Sequence, residues 1–393
     1  MWRLTGGSML MVVSLRKHRR GFLRTIASLA VAMAVSTAAR AETITDLTGR
    51  KVEIPAQVHR IVLGEGRLIY ALAPLEKQHL FDRIVGWQGE FREADVQTYN
   101  RYVAAFPAAA KVALIGKTTA DTVSPEKVLD LRPDLAILSV SGHGPGASSE
   151  LVAQLESAHI PVVFVDFRAH PLDDTVPSMR ILGQVLDRRA EAEAYIAFYQ
   201  SHLDRIRSRV ASLPETSRPT VFMEMLAGTR EACCHTAGKG NMGAFIEAAG
   251  GRNIAAPLLP GYIGDIALEQ VIASDPDIYI VDGTKGPAFK GLAVHMGAEV
   301  DEAMARASVQ AVLQRPGIST LRAVHDGHAY GLWHSFYDSP YNILAVEVMA
   351  KWFHPDLFKD VDPQATRAEL YSRFLPVPPS GTYWVDGPAM STR

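Results

Sequence analysis

The sequence predicts an α/β protein of two lobes, each with a mostly parallel central sheet, joined by a long rigid α-helix. Three observations lead there. The first is a stretch that occurs twice. Glu126 opens a short helical pattern, Val128 and Leu129 follow, and Pro133-Asp134 closes it; Glu269, Val271, Ile272 and Pro276-Asp277 repeat it at the same spacing. An apolar run starts directly after each copy, at Leu135 and at Ile278. One supersecondary unit used twice, about a domain-length apart, indicates two related lobes. The second is the texture of residues 135–140 and 161–166, nearly continuous in apolar and β-branched side chains, as in strands buried on both faces of a parallel sheet. The third is a span, 171–216, with helical periodicity and no strand pattern.

Taken in order, residues 1–41 are an address rather than part of the fold. Arg16-Lys17-His18-Arg19-Arg20 is a basic head, residues 26–35 form an apolar core, and Ala39-Arg40-Ala41 fits a small-x-small cleavage site. The apolar core is shorter than the roughly 20 residues that cross a bilayer. Arg19 and Arg20 open Arg-Arg-Gly-Phe-Leu-Arg, which resembles the twin-arginine export signal of proteins that cross the membrane folded. The expected product is an exported, soluble protein of the periplasm.

Residues 42–170 form the first lobe. Strands are predicted at 60–63, 83–86, 135–140 and 161–166, and a helix at 150–158 with Ser148-Ser149 as caps. Residues 171–216 form the connecting helical region. Within it Tyr195, Tyr199, His202, Ile206 and Val210 recur at three- and four-residue spacing along one face. Residues 217–393 form the second lobe, with strands at 220–224, 277–281 and 328–333 and helices at 243–249 and 342–352. The segment after Pro376, carrying Pro378 and Pro379, cannot continue a helix and reads as a surface extension.

Composition narrows the function. The first 41 residues hold seven of the 40 Lys+Arg and none of the 42 Asp+Glu, leaving 33 basic against 42 acidic residues and a net charge of −9. No basic stripe remains to neutralise phosphates, so nucleic acid is excluded as a partner. The two cysteines, Cys233 and Cys234, are adjacent and cannot staple distant segments; thiols are expected, with a strained vicinal disulfide as the alternative. There is no Gly-x-Ser-x-Gly elbow, no complete phosphate loop and no His-Glu-x-x-His, and no dinucleotide-type glycine loop is expected after any predicted strand. A hydrolase reading therefore has little support, and no enzyme is expected.

The leader, the two lobes, the helical spacer and the paired Glu-x-Val-(Leu/Ile)-x-x-x-Pro-Asp units together resemble the substrate-binding proteins of ABC importers for ferric siderophores, cobalamin and haem. Ile44-Thr45-Asp46-Leu47-Thr48-Gly49-Arg50 matches their opening hairpin, and Ala248-Ala249-Gly250-Gly251-x-Asn253 a helix end of their second lobe. The resemblance implies a ligand cleft between the lobes, limited hinge motion, a monomer, and no resident cofactor. It also implies that Glu126 and Glu269 dock onto arginines of a permease dimer in the inner membrane. Ser124-Pro125 places Glu126 in a helix's first turn, where the helix dipole favours an exposed carboxylate.

The cleft should be lined by loops at the carboxyl ends of strands. Those loops supply Trp87, Tyr99, His143, Arg168, Trp333, His334 and Tyr337, with His235 and Tyr262 from elsewhere in the second lobe. Flat aromatics with a cation suit a bulky, partly anionic ligand such as a ferric siderophore, whose iron arrives already wrapped. The 13 histidines are scattered without His-x-x-x-His, which disfavours a bare metal ion. Residue types leave haem open, with His143, His235 or Tyr337 as axial ligand, and leave cobalamin open as well.

Overall fold

The computed structural model describes residues 42–230, 233–286 and 291–387; the expected export signal, with Arg19 and Arg20, lies outside the described residues. The chain opens with a hairpin, β1 (Glu42–Thr45) and β2 (Lys51–Ile54). The Asp46 carboxylate closes its turn by accepting from the Thr48 and Arg50 amides, both at 3.0 Å, and Gly49 supplies the positive φ.

The first lobe follows as β3 (Ile61–Leu63), α1 (Ile69–Glu76), β4 (Ile84–Gln88), α2 (Glu90–Ala94), α3 (Val96–Ala105), β5 (Ala113–Gly116), α4 (Pro125–Asp130), β6 (Leu135–Ser139), α5 (Glu150–Ser157) and β7 (Val162–Val165). Its sheet is parallel throughout, in the order β5-β4-β3-β6-β7. The chain runs outward from β3 to one edge, then returns to β6 and runs to the other. β3 and β6 therefore flank the switch point of the sheet, the place at whose carboxyl ends open α/β sheets set their ligand crevice. β6 and β7 are buried at every position, as their nearly continuous apolar runs require.

Two helices connect the lobes, α6 (Pro171–Val185) and α7 (Arg189–Val210). The α7 face carrying Tyr195, Tyr199, Ile206 and Val210 is buried. α7 is more than a spacer, because it packs against α1 on one side and against the second lobe on the other. One apolar core runs through β3, α7 and the second lobe without a break.

The second lobe comprises β8 (Thr220–Glu224), β9 (His235–Ala237), α8 (Asn241–Ala248), β10 (Arg252–Asn253), β11 (Ile263–Asp265), α9 (Leu268–Ser274), β12 (Ile278–Gly283), α10 (Glu302–Leu313), α11 (Arg322–His325), β13 (Ala329–Trp333), α12 (Asn342–Phe353), α13 (Pro363–Phe374) and β14 (Trp384–Asp386). The sheet order is β10-β8-β12-β13-β14, parallel except for β14. Its switch point lies between β8 and β12. β9 and β11 form a separate antiparallel pair.

Three expectations need correction. The segment after Pro376 is not a surface extension: Tyr383 and Val385 are buried, and β14 completes the sheet along β13. A three-residue apolar run between prolines and glycines is too short to register as a strand from its pattern alone. Cys233 and Cys234 are not thiols but are joined as a vicinal disulfide, with Cys234 buried; adjacency in the chain holds the two sulfurs within bonding reach. Finally, Gly238-Lys239-Gly240-Asn241-Met242-Gly243 does carry a Gly-x-Gly-x-x-Gly pattern after a strand, β9, that the sequence reading missed. It lacks the parallel βαβ setting of a nucleotide loop. Its glycines serve packing: a side chain on Gly240 would meet the Ala169 carbonyl at 2.5 Å, and one on Gly243 would strike the Gly238 carbonyl.

Candidate functional site

The site grows from the crevice of the first lobe. After β3 the chain turns at Gly64 and presents Glu65 and Arg67, and after β6 it passes over them as Ser141-Gly142-His143-Gly144. Glycine is required in that loop. A side chain on Gly142 would overlap the Glu65 carboxylate, and one on Gly144 would lie 2.6 Å from the Gly64 carbonyl. The close approach lets the Gly144 amide donate to Glu65 Oε1 at 3.0 Å. Glu90, at the start of α2, accepts from the Arg67 amide at 2.8 Å.

Across the crevice, the single turn His334–Asp338 follows β13 of the second lobe. Arg67 Nη1 donates to the Tyr337 hydroxyl at 2.6 Å, and Nη2 pairs with Asp338 at 3.2 Å. Arg168, in the loop after β7, places its guanidinium 5.0 Å from the centre of the Tyr337 ring; Arg67 lies 5.4 Å from the same ring. His334 sits beside Tyr337 with ring centres 4.5 Å apart, and its Nδ1 is held at 3.0 Å by Asp282 at the end of β12. The lobes touch again where Asn241 Nδ2 donates to the Arg168 carbonyl at 3.0 Å and where Thr284 donates to the Ala94 carbonyl at 3.2 Å.

The electrostatics are lopsided. Arg67 and Arg168 are buried yet stay cationic: desolvation opposes their charge, and Tyr337, Asp338 and Glu65 more than offset it. Burial pushes the Glu65 carboxyl up to about 7, reinforced by Asp338. Burial and then Glu65 push Glu90 up to about 8. His143 is pushed down to about 3 by burial, then by Arg168, Arg67 and His334, so its imidazole is neutral. Asp166, buried beside Arg168 in sequence, is also raised by burial, against the Ser141 hydroxyl that donates to it at 2.8 Å. Most important, Arg168 Nε and Nη1 are buried with no hydrogen-bond partner. Two fixed cations, both with unpaired donors (Nε of Arg67, Nε and Nη1 of Arg168), face the Glu65 and Glu90 carboxyls, whose proton affinity burial raises. Such a surface accepts an anion. Among the described residues no group of three or more His, Cys, Asp or Glu side chains is placed to hold a metal ion.

The sequence-predicted residues divide in two. Arg168, His143, His334 and Tyr337 do converge at the crevice. Trp87, Tyr99 and Trp333 are corrected to core residues. Trp87 is 1% exposed, edge-on to Phe81 and Phe91, and Tyr99 packs against the same cluster. Trp333 is 1% exposed among Tyr70, Phe336 and Tyr383. All three lie on or beside the sheet ends, where large rings fill the lobe interior before they can reach a ligand. His235 is tied to Asp265 at 2.8 Å in the β9–β11 pair, and Tyr262 is half-buried beside Gly240; neither has a contact with the arginine cluster. Sequence reasoning missed Glu65, Arg67 and Asp282, and it passed over Glu90 and Asp338 within loops it had chosen. Glu65 and Arg67 follow a three-residue strand at its carboxyl end, so the rule that found the other loops applies to them too.

Glu126 and Glu269 occupy the first turns of α4 and α9, and both are exposed. The backbone amide of Glu126 and the Ser124 hydroxyl, which donates to it at 2.9 Å, hold its carboxyl below the usual range. These helices stand at matching places, each leading into the strand (β6, β12) next to the switch point of its sheet.

Comparison with known proteins agrees with this architecture. A TroA-like periplasmic binding protein, FepB of Veillonella parvula, superposes with a TM-score of 0.77 at 27% identity, covering 88% of this chain and 99% of that one. The molybdate-binding protein MolA of Haemophilus influenzae shares the fold, with a TM-score of 0.66 at 19% identity over 86% of this chain and 99% of its own. A cobalamin-binding protein of Halobacterium salinarum is 28% identical over 200 residues, which is 49% of each chain, so the match spans about half the length of that curated relative. The family and these relatives are binding proteins rather than enzymes. With a family model matching residues 86–334, more than half of its length, the chain belongs to the periplasmic binding protein family.

Proposed function

We propose that this chain is the periplasmic solute-binding protein of an ABC importer, and that it captures a ferric siderophore and delivers it to an inner-membrane permease. The observation that carries the cargo reading is Arg168, whose buried Nε and Nη1 donors are unpaired beside a second guanidinium and the Tyr337 ring. Anionic oxygens of a chelate would satisfy those donors, and the ring would supply apolar contact. The chelate brings its own metal ligands, so the protein needs no resident cofactor. Export through the twin-arginine signal at Arg19 and Arg20 would deliver the folded chain to the periplasm, where it works as a monomer. Among the described residues no helix is long and apolar enough to cross a membrane. Glu126 and Glu269 are the proposed docking points on the permease.

The cobalamin-binding relative and the neutral imidazole of His143 favour a second reading, a corrinoid or haem cargo with His143 toward the metal. Calorimetric titration of the purified protein with ferric tris-catecholate, cobalamin and haemin separates the two. Saturable binding of the ferric complex alone supports the first reading; binding of cobalamin or haemin, with a shift in its absorption bands, replaces it with the second.

A further inference from the structure

Arg67 belongs to the first lobe and Asp338 to the second, so the ion pair between them spans the cleft at 3.2 Å. The partners are unequally held. Arg67 has a directed bond to the Tyr337 hydroxyl. Asp338 Oδ2 has no hydrogen bond, and neither has Arg67 Nε, Arg168 Nε or Arg168 Nη1. All three residues are between 4% and 9% exposed. Leaving a buried polar atom without its bond costs about 1–3 kcal/mol, so three unbonded guanidinium donors beside a carboxylate oxygen held by charge alone are an arrangement awaiting a better partner. Asp338 also acts electrostatically on Arg168 as well as on Arg67, which puts its carboxylate within the field of both guanidiniums.

We infer that Asp338 is a specificity-determining residue of this cleft, a built-in competitor whose carboxylate holds the anion position beside Arg67 and Arg168 until an anionic group of the cargo displaces it. The inference rests on the proposed cargo class. A chelate with several anionic oxygens can bond both guanidiniums bidentately, which one carboxylate held only by charge cannot match. An uncharged chelate cannot take that position, because it would leave Arg67 facing no anion in a buried site. Glu65, Glu90, His143 and His334 also face the cluster, but all but His334 come from the first lobe together with the arginines. Asp338 crosses from the second lobe, so its displacement also releases a bond between lobes.

The test uses the full chain and its Asp338→Asn and Asp338→Ser variants, titrated calorimetrically with sulfate, with ferric tris-catecholate (a trianion) and with an uncharged ferric tris-hydroxamate. Removing one competing charge at contact distance should tighten sulfate by about tenfold in each folded variant and leave the uncharged chelate unchanged. Unchanged or weaker sulfate binding overturns the inference, as does an equal gain for the uncharged chelate. Failure of both variants to fold overturns it too, since a group indispensable to the fold cannot be given up to cargo. If sulfate tightens as expected but ferric tris-catecholate binds neither wild type nor variant, the role of Asp338 stands and the siderophore reading falls.

Discussion

The Tyr199 hydroxyl on α7 donates to Asn342 Oδ1 at 2.8 Å, where the long helix meets the first residue of α12. Asn342 spends its amide group on Thr175 Oγ1 and the Ser339 carbonyl, both at 3.1 Å, so it ties α6, α7 and the cleft turn of the second lobe together. Tyr195 adds a bond to the Pro340 carbonyl at 2.6 Å. Tyr199→Phe leaves a buried acceptor unpaired and should cost about 1–3 kcal/mol in urea unfolding. Because one core runs through both lobes, the transition should stay single, with an unchanged denaturant slope. Two separated transitions would show that the lobes unfold independently.

Stability should fall as pH rises from about 5 to about 8. The ordinary value of 4.5 applies to Glu65 and Glu90 in the unfolded chain, whereas burial raises them to about 7 and about 8 in the fold. Between those limits these two carboxyls hold more protons in the folded than in the unfolded state, against the single proton that His143 gives up below its ordinary 6.5, so the net effect of rising pH favours unfolding. The loss begins above 4.5 and is complete once both folded values are passed. Glu65→Gln or Glu90→Gln should flatten the thermal-stability profile over this window. A slope identical to wild type in both would mean the carboxyls are ionised throughout. Anion affinity should follow the same direction, weaker at about pH 8 than at about pH 6, because the ionising carboxyls compete for Arg67 and Arg168.

The fold was legible because strands buried on both faces of a parallel sheet are nearly continuously apolar. β6, β7, β8, β12 and β13 carry such runs, with the polar residues Ser139, Glu224 and Asp282 at or beside their carboxyl ends, and the face of α7 follows from its 3.6-residue period. What stayed hidden were short or context-dependent pieces: β14, whose three residues gain strand character only from β13, and α1, whose eight buried residues show little amphipathic contrast. In the candidate site, the loop rule picks out Arg168 and Tyr337, which lie together, but it also picks out Trp87 and Trp333, which pack into the core. A ring at a strand's end can turn inward or outward, and only the packing of Phe81, Phe91, Tyr70 and Tyr383 around them decides.

Arg168→Met separates function from stability. The substitution keeps an unbranched apolar stem against Tyr337 and removes two buried donors that have no partner. Ferric tris-catecholate affinity should drop by at least about tenfold, or about 1.4 kcal/mol, while the melting temperature holds or rises. A large fall in melting temperature with full affinity would make Arg168 a structural residue instead.

The proposed twin-arginine export makes its own prediction. Twin-arginine recognition distinguishes arginine from lysine, so Arg20→Lys should leave the precursor in the cytoplasm, seen by fractionation as uncleaved protein absent from the periplasm. Normal export of the variant would assign the leader to the general secretory route.

The proposed docking pair gives the sharpest separation of transport from binding. Glu126 and Glu269 are exposed, sit in the first turns of α4 and α9, and take no part in the arginine cluster. A carboxylate in that position gains about 0.3–1 kcal/mol from the helix dipole, so reversing both charges should cost little stability. Two fixed acidic points on a rigid body orient a partner carrying complementary arginines, and like charges there repel it. The double variant Glu126→Arg, Glu269→Arg should therefore bind ferric tris-catecholate with wild-type affinity and yet support no uptake of it in cells. Each single variant should retain partial uptake, since one contact still steers encounter. Full uptake by the double variant would remove both residues from the permease interface, and a loss of affinity would place them within reach of the ligand.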